Sequence, residues 1–402
     1  MISLFYSLYS KIIKLIADNN NLVKYASSGA INVVFPWLAI YFAVDRISVY
    51  DFLILTSAYA TVQLGAFADL GLSKFFQLKA RAGNEAALFN WVLPRVSLMS
   101  FFMSLFLCGS FFQLVRLEED HLVWFFNISG IIFSAALRNL VCLRLELMGS
   151  YMHSTILKLV FWGLFFLPIF LFPDYTMRDT FLISSILRII ATIFVLYSIS
   201  SLIYERGVPN NHLTEVNKID LPSLLIFGFA CLLGNSLDRY WPSVISDPST
   251  KISLILMMDI GLKTTFFAGA IGQAKLNEMF QKGVDEVISQ KLISCIALVS
   301  GIFFIIISFA ALSKTSSTQP DNILVFFLFF YICAFSANQI LVPIRQRLVA
   351  VRTIANRSLV GVLLASIPIC ISIFFESVLF VVFGLIIKAM YELIIYSRPV
   401  ND

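Results

Sequence analysis

The sequence predicts an all-α, polytopic membrane protein with about twelve transmembrane helices in two six-helix halves, and three observations predict it. Hydrophobic residues make up 59% of the 402, charged residues 13%, and mean hydropathy is +0.87, so the chain takes lipid as its solvent. Apolar stretches of about 20 residues, the length that crosses a ~30 Å hydrocarbon core, recur from end to end. They lack the two-residue alternation of barrel strands, and backbone groups in hydrocarbon need internal partners, which leaves helices.

Residues 1–24 form the first element. Phe5, Leu8, Tyr9, Ile12, Ile13 and Ile16 recur at helical spacing, with Lys11, Lys14 and Asp18 elsewhere on the turn. That pattern predicts an amphipathic helix on the membrane surface rather than a cleavable signal, because no basic region precedes an apolar core. Spans follow near 25–44, 52–72, 92–115, 122–141, 151–172 and 181–203. The longest polar gap, 204–221, contains Gly207, Pro209, Asn210 and Asn211 and forms the linker. The second half, 222–402, places spans near 222–245, 254–275, 291–312, 322–342, 358–375 and 377–397. Only Glu376 and Ser377 divide the last two. Halves of this kind are one of the repeat plans of transporters, with a substrate path at their interface.

Orientation follows the basic residues, which stay on the cytoplasmic side. With both termini inside, 21 Lys and Arg fall inside, against Arg46, Arg116, Arg178, Lys251 and Lys314 outside. The net charge of +5 is then largely an orientation signal and no nucleic-acid footprint. Cys108, Cys142, Cys231, Cys295, Cys333 and Cys370 show no paired spacing, and His121, His153 and His212 are isolated, so neither disulfides nor a metal site is expected. The chain contains no phosphate-binding GxxxxGK[ST] loop, and its connections are too short for a nucleotide-binding domain, so no enzyme activity and no cofactor are expected.

Ionisable groups inside spans are costly and usually face a cavity. Five stand out: Arg188 in the sixth span, Asp238 and Arg239 in the seventh, and Asp259 and Lys263 in the eighth. At about 1.5 Å per residue, Arg188 lies roughly 10 Å, Asp259 roughly 8 Å and Lys263 roughly 14 Å from the outer boundary, while Arg239 lies roughly 25 Å from the inner one. The five therefore share one layer. They can pair among themselves, Asp259 with Lys263 or Arg239 and Asp238 with a neighbour, yet three bases against two acids leave one base over. Surplus positive charge in a membrane cavity suits a phosphate-bearing ligand, and the planar fork of Arg suits phosphate better than Lys does. Pro242 follows Asp238 by one turn, Gly228 and Gly234 precede it, and Ser28, Asn32 and Pro36 form a polar stripe in the first span. Such residues either permit bending during gating or are simply tolerated in membrane helices.

At the end of the second span the chain reads Phe67-Ala68-Asp69-Leu70-Gly71-Leu72-Ser73-Lys74-Phe75-Phe76, followed by basic Lys79 and Arg81, and the seventh span contains Leu237-Asp238-Arg239-Tyr240. The first segment resembles the D-F-G-L-S segment of the O-antigen flippases (Wzx) of the multidrug/oligosaccharidyl-lipid/polysaccharide exporter superfamily, with Leu70 in place of the usual Phe; the second is similar to their Asp-Arg pair. The resemblance implies two six-helix lobes around a central, cationic cavity that opens alternately to each side of the bacterial inner membrane. The substrate it implies is an oligosaccharide unit linked through diphosphate to undecaprenol. Further implied partners are membrane lipids, a polysaccharide polymerase and a chain-length regulator. It assigns Asp69 and Gly71 to an inner gate or structural turn and Asp238 and Arg239 to the cavity; Arg188 and Lys263 join them by depth. The residues do not specify a coupling ion, H+ or Na+. Two rivals are a cation-coupled multidrug antiporter of the same superfamily, which wants a net acidic cavity, and a membrane-embedded polymerase or acyltransferase, which wants a long outer loop or an intramembrane His-Asp pair.

Overall fold

The computed structural model describes residues 46–65, 68–80, 84–114, 121–204, 221–240, 260–282, 289–312, 322–375 and 377–397, with isolated positions between 31 and 43 and at 257–258. The helices are α1 (Val49–Gly65), α2 (Leu72–Lys79), α3 (Glu85–Leu114), α4 (His121–Leu147), α5 (Tyr151–Leu171), α6 (Met177–Tyr204), α7 (Leu221–Tyr240), α8 (Phe266–Lys282), α9 (Gln290–Leu312), α10 (Asn322–Leu348), α11 (Val351–Phe375) and α12 (Val378–Ser397). The amphipathic segment 1–24, Ser28, Asn32, Pro242, Asp259 and most of the linker at 204–221 lie outside the described residues. Pro36 is described and is buried.

Eight of these helices, α3 to α6 and α9 to α12, are long and apolar enough to cross a membrane. They are apolar all round, and large side chains such as Phe106 (74% exposed) and Phe374 (84%) stand on the outer surface, as expected where the surroundings are lipid. Hydroxyls within the helices turn back on their own backbone: Thr61 donates to the carbonyl of Ser57, Thr192 to that of Arg188 and Ser366 to that of Val362. Each of these three side chains thereby keeps a partner where water is absent. The expected division of the last two spans is found: α11 ends at Phe375 and α12 begins at Val378, while Glu376 itself lies outside the described residues.

Two lobes result. In the first, α4 is the central helix, packed against α1, α3, α5 and α6; in the second, α10 packs against α8, α9 and α12, while α11 packs against α7 and α12. The fourth and the tenth of the twelve expected spans thus take the same central place. One apolar core lies wholly in the first lobe (Leu55, Ile132, Phe165), and another wholly in the second (Ile332, Leu328, Val382). A third core draws on both, joining Leu72, Phe76, Phe89 and Leu147 to Leu224, Phe227, Leu276 and Ala355. The residues that unite the lobes gather at the bundle end that also carries Lys79, Arg144 and Arg347, termed here the basic end.

Candidate functional site

The second expected span does not run on as one helix. α1 stops at Gly65, and the chain turns through Ala68–Gly71 before α2 begins at Leu72. Leu70 and Gly71 both adopt positive φ, 49° and 77°, a region costly for a branched residue such as Leu. Asp69 holds the turn. One carboxylate oxygen accepts the Gly71 N–H at 3.0 Å and the other the Ser73 N–H at 2.7 Å, which satisfies donors at the start of α2 that no helical carbonyl can reach. The Asp69 side chain is fully buried in doing so.

This turn rests on the other lobe. A Cβ built at Gly228 of α7 would lie 1.5 Å from the Leu70 carbonyl oxygen, and one at Gly71 would lie 3.0 Å from the Gly228 Cα. Only glycine permits that approach. Beside it the lobes exchange cations: Lys79 donates to the carbonyls of Arg347 (3.3 Å) and Val349 (2.7 Å), while Arg347 donates to those of Leu78 (3.5 Å) and Ala80 (3.3 Å). Each base serves the carbonyl-rich C-terminal end of the partner helix, where a positive charge is favoured. Asn277 of α8 reaches the Tyr151 hydroxyl of α5 at 3.4 Å nearby. The first of the two segments that carried the family resemblance, Asp69 to Phe76, therefore belongs to a closed junction between the lobes.

A second constellation is buried in the first lobe between α3, α4, α5 and α6. Glu85 pairs with Arg144, and Glu146 pairs with Lys158 while accepting the Ser154 hydroxyl at 2.7 Å. Arg144 also lies 4.3 Å from the Phe89 ring centroid. Deeper along the helices Arg138 lies 5.4 Å from the Trp162 ring, and Arg188 lies 5.6 and 5.8 Å from the rings of Phe161 and Phe165. Arg188 is completely buried, and none of its three guanidinium nitrogens has a hydrogen-bond partner among the described residues; Nη1 of Arg138 is in the same condition. Among the described residues four bases thus face two acids, and the two bases left over are Arg138 and Arg188. The aromatic faces attract each cation, by about 2 kcal/mol when desolvated, but supply no acceptor for the guanidinium N–H groups.

The five expected cavity residues are not brought together among the described residues. Arg188 is enclosed in the first lobe, and Lys263 is half-buried in the helical stretch before Thr265. Asp238 and Arg239 lie in the last turn of α7, their side chains outside what is described. Sequence reasoning passed over Arg138 and Lys158 as residues of the inner boundary. Each nevertheless lies within a span as drawn, and α4 continues to Leu147, which sets Arg138 roughly 13 Å from its end.

No protein-family model matches the chain, and no curated protein matches its sequence at a significant level. Several solved structures do resemble it. A mutant MATE transporter superimposes with a TM-score of 0.55 at 14% identity, covering 94% of each chain. A MOP-superfamily transporter from Pyrococcus furiosus, described as having a binding pocket of reversed polarity that suggests a different function, gives 0.51 at 14% identity, covering 93% of this chain and 92% of its own. The chain therefore has the fold of MATE and MOP-superfamily transporters.

Proposed function

We propose that this protein moves an anionic, lipid-linked oligosaccharide across the bacterial inner membrane by alternating access, with both termini cytoplasmic. Its substrate is an undecaprenyl-diphosphate-linked repeat unit of a surface polysaccharide. The observation that carries the proposal is the surplus of buried positive charge: Arg138 and Arg188 stand in the first lobe with unmet hydrogen-bonding capacity and, among the described residues, without a carboxylate of their own. A buried unpaired guanidinium costs several kcal/mol, and an anion drawn between α4, α5 and α6 offsets that cost. Arg239 and Lys263 of the second lobe, with Asp238 and Asp259, complete the charged layer across the path. The basic end, closed by the Leu70–Gly228 contact, is the cytoplasmic side in an outward-facing state.

A multidrug antiporter shares this fold, but an organic cation needs an available carboxylate. The buried acids described in the first lobe are committed: Asp69 to two backbone N–H groups, Glu85 to Arg144, and Glu146 to Lys158 and Ser154. The test is surface polysaccharide restored to a flippase-deficient cell, with protein level and thermal stability measured in parallel. Arg188→Met removes an unpaired buried charge, so stability is retained or raised while transport falls at least tenfold. Arg239→Lys keeps charge but loses the two-point grip on phosphate and reduces activity, and Arg239→Ala reduces it further. Full transport by both Arg188→Met and Arg239→Ala, or dye resistance on overexpression, overturns the proposal.

A further inference from the structure

α9 and α12 both pack on α10, yet α9 meets its neighbours mainly at α10 and α8 and α12 at α10 and α11. The face of α10 between them is left as the floor of a groove of about 680 Å³. Small side chains, Ala334 and Ala337 on the floor and Ala297 on the α9 wall, make the groove deep, and the lining is apolar except toward the basic end. There Gln290, Ser397 and Arg345 line the groove, and Arg345 is the one charged residue among the described residues of the lining. Its Nε is enclosed and has no hydrogen-bond partner among the described residues. Lys291 lies exposed beside Gln290 at the same helix end.

We infer that this groove is a binding site for one anionic phospholipid, its phosphate on Arg345 and an acyl chain along the alanine floor. Length and charge both argue for this occupant. From Phe329 to Arg345 the groove follows α10 for roughly 24 Å, close to one leaflet with its headgroup layer, about 20–22 Å. A single cation beside polar donors, at the mouth of an apolar trough in the basic half of the bilayer, complements a lipid with a net negative head; the guanidinium fork matches phosphate oxygens. A zwitterionic lipid fits the trough equally well but returns a positive charge to the mouth, next to Lys291. The inference rests on α9, α10 and α12 and is independent of what the protein transports.

The full-length protein, purified in detergent, is titrated with phosphatidylglycerol and with phosphatidylcholine of the same acyl chains. Retained lipid is counted by native mass spectrometry. The wild type retains phosphatidylglycerol about tenfold more strongly, the worth of one charge-assisted contact. Arg345→Ala abolishes that preference while leaving the weaker phosphatidylcholine retention unchanged. Ala337→Phe, which fills the trough, removes both, so a folding defect in one variant does not decide the matter. Equal retention of the two lipids by the wild type, or an undiminished preference in Arg345→Ala, overturns the inference. So does displacement of phosphatidylglycerol by inorganic phosphate alone, which would mean a headgroup site without the groove. Stronger retention of undecaprenyl phosphate than of phosphatidylglycerol would assign the groove to the transported lipid and also overturn it.

Discussion

One methyl group at position 228 tests whether the junction at the basic end belongs to one conformational state. In Gly228→Ala the new Cβ meets the Leu70 carbonyl at 1.5 Å from its oxygen and 2.0 Å from its carbon, whereas ordinary contact begins near 3.4 Å. The obstacle is backbone, held by the Asp69 carboxylate, so the lobes must part by roughly 2 Å at this point. Overpacking of this kind costs about 1–3 kcal/mol, and the nearby bond from Lys79 to Val349, now 2.7 Å, passes out of hydrogen-bonding range. Because the contact exists only when the lobes meet, the whole cost falls on the closed state and shifts its population by about 5- to 150-fold. Ala355, 1% exposed in the core shared by both lobes, is a suitable reporter: Ala355→Cys in a background without native cysteines is labelled by an impermeant thiol reagent on inside-out vesicles. Adding Gly228→Ala should raise the labelling rate at least fivefold. An unchanged rate with normal transport would refute the assignment of this contact to a gate.

Four further outcomes are expected. Lys79→Ala and Arg347→Ala should each raise labelling at the same reporter, by about 1 kcal/mol per lost hydrogen bond, and their combination should fall short of additivity because the two residues form one junction. Asp69→Asn keeps an acceptor for one of the two N–H groups, so it should slow transport with near-normal protein levels, whereas Asp69→Ala should cost about 2 kcal/mol or more of thermal stability; failure of the Asn variant to accumulate would make Asp69 purely structural. Glu146→Gln strands Lys158 in the first lobe and should destabilise the protein by about 3–5 kcal/mol, with recovery in Glu146→Met, Lys158→Met, both read from thermal unfolding. Cysteines at Asn210 and Ser317 should label from the cytoplasmic and the outer side respectively; labelling of Asn210 from outside would invert the topology.

The helices were readable because hydrocarbon imposes one length and one polarity on every crossing, and even the short break between Phe375 and Val378 left its mark. Charge pairing was far less legible. Hydropathy says that Arg138 and Lys158 lie near a boundary, but not that α4 continues to Leu147 and carries Arg138 inside, nor that Glu146 turns toward Lys158. Those partners belong to different helices, and nothing in the local pattern links them. The Asp69–Gly71 segment was recognised as a turn or gate, while its seat on Gly228, 157 positions later, depends on lobe packing that no short window contains. Gly228 read simply as a helix weakener, although its true constraint is the backbone that touches it.

The junction between Lys79 and Arg347 is built entirely from bases and backbone carbonyls, and its neighbour from an amide and a phenol. The acid at this junction is Asp69, whose carboxylate holds the turn that seats Leu70 against Gly228. A proton delivered to that carboxylate would take away one of the two acceptors that fix the turn, and would loosen the seat of one lobe on the other without touching the contacts made by Lys79 and Arg347.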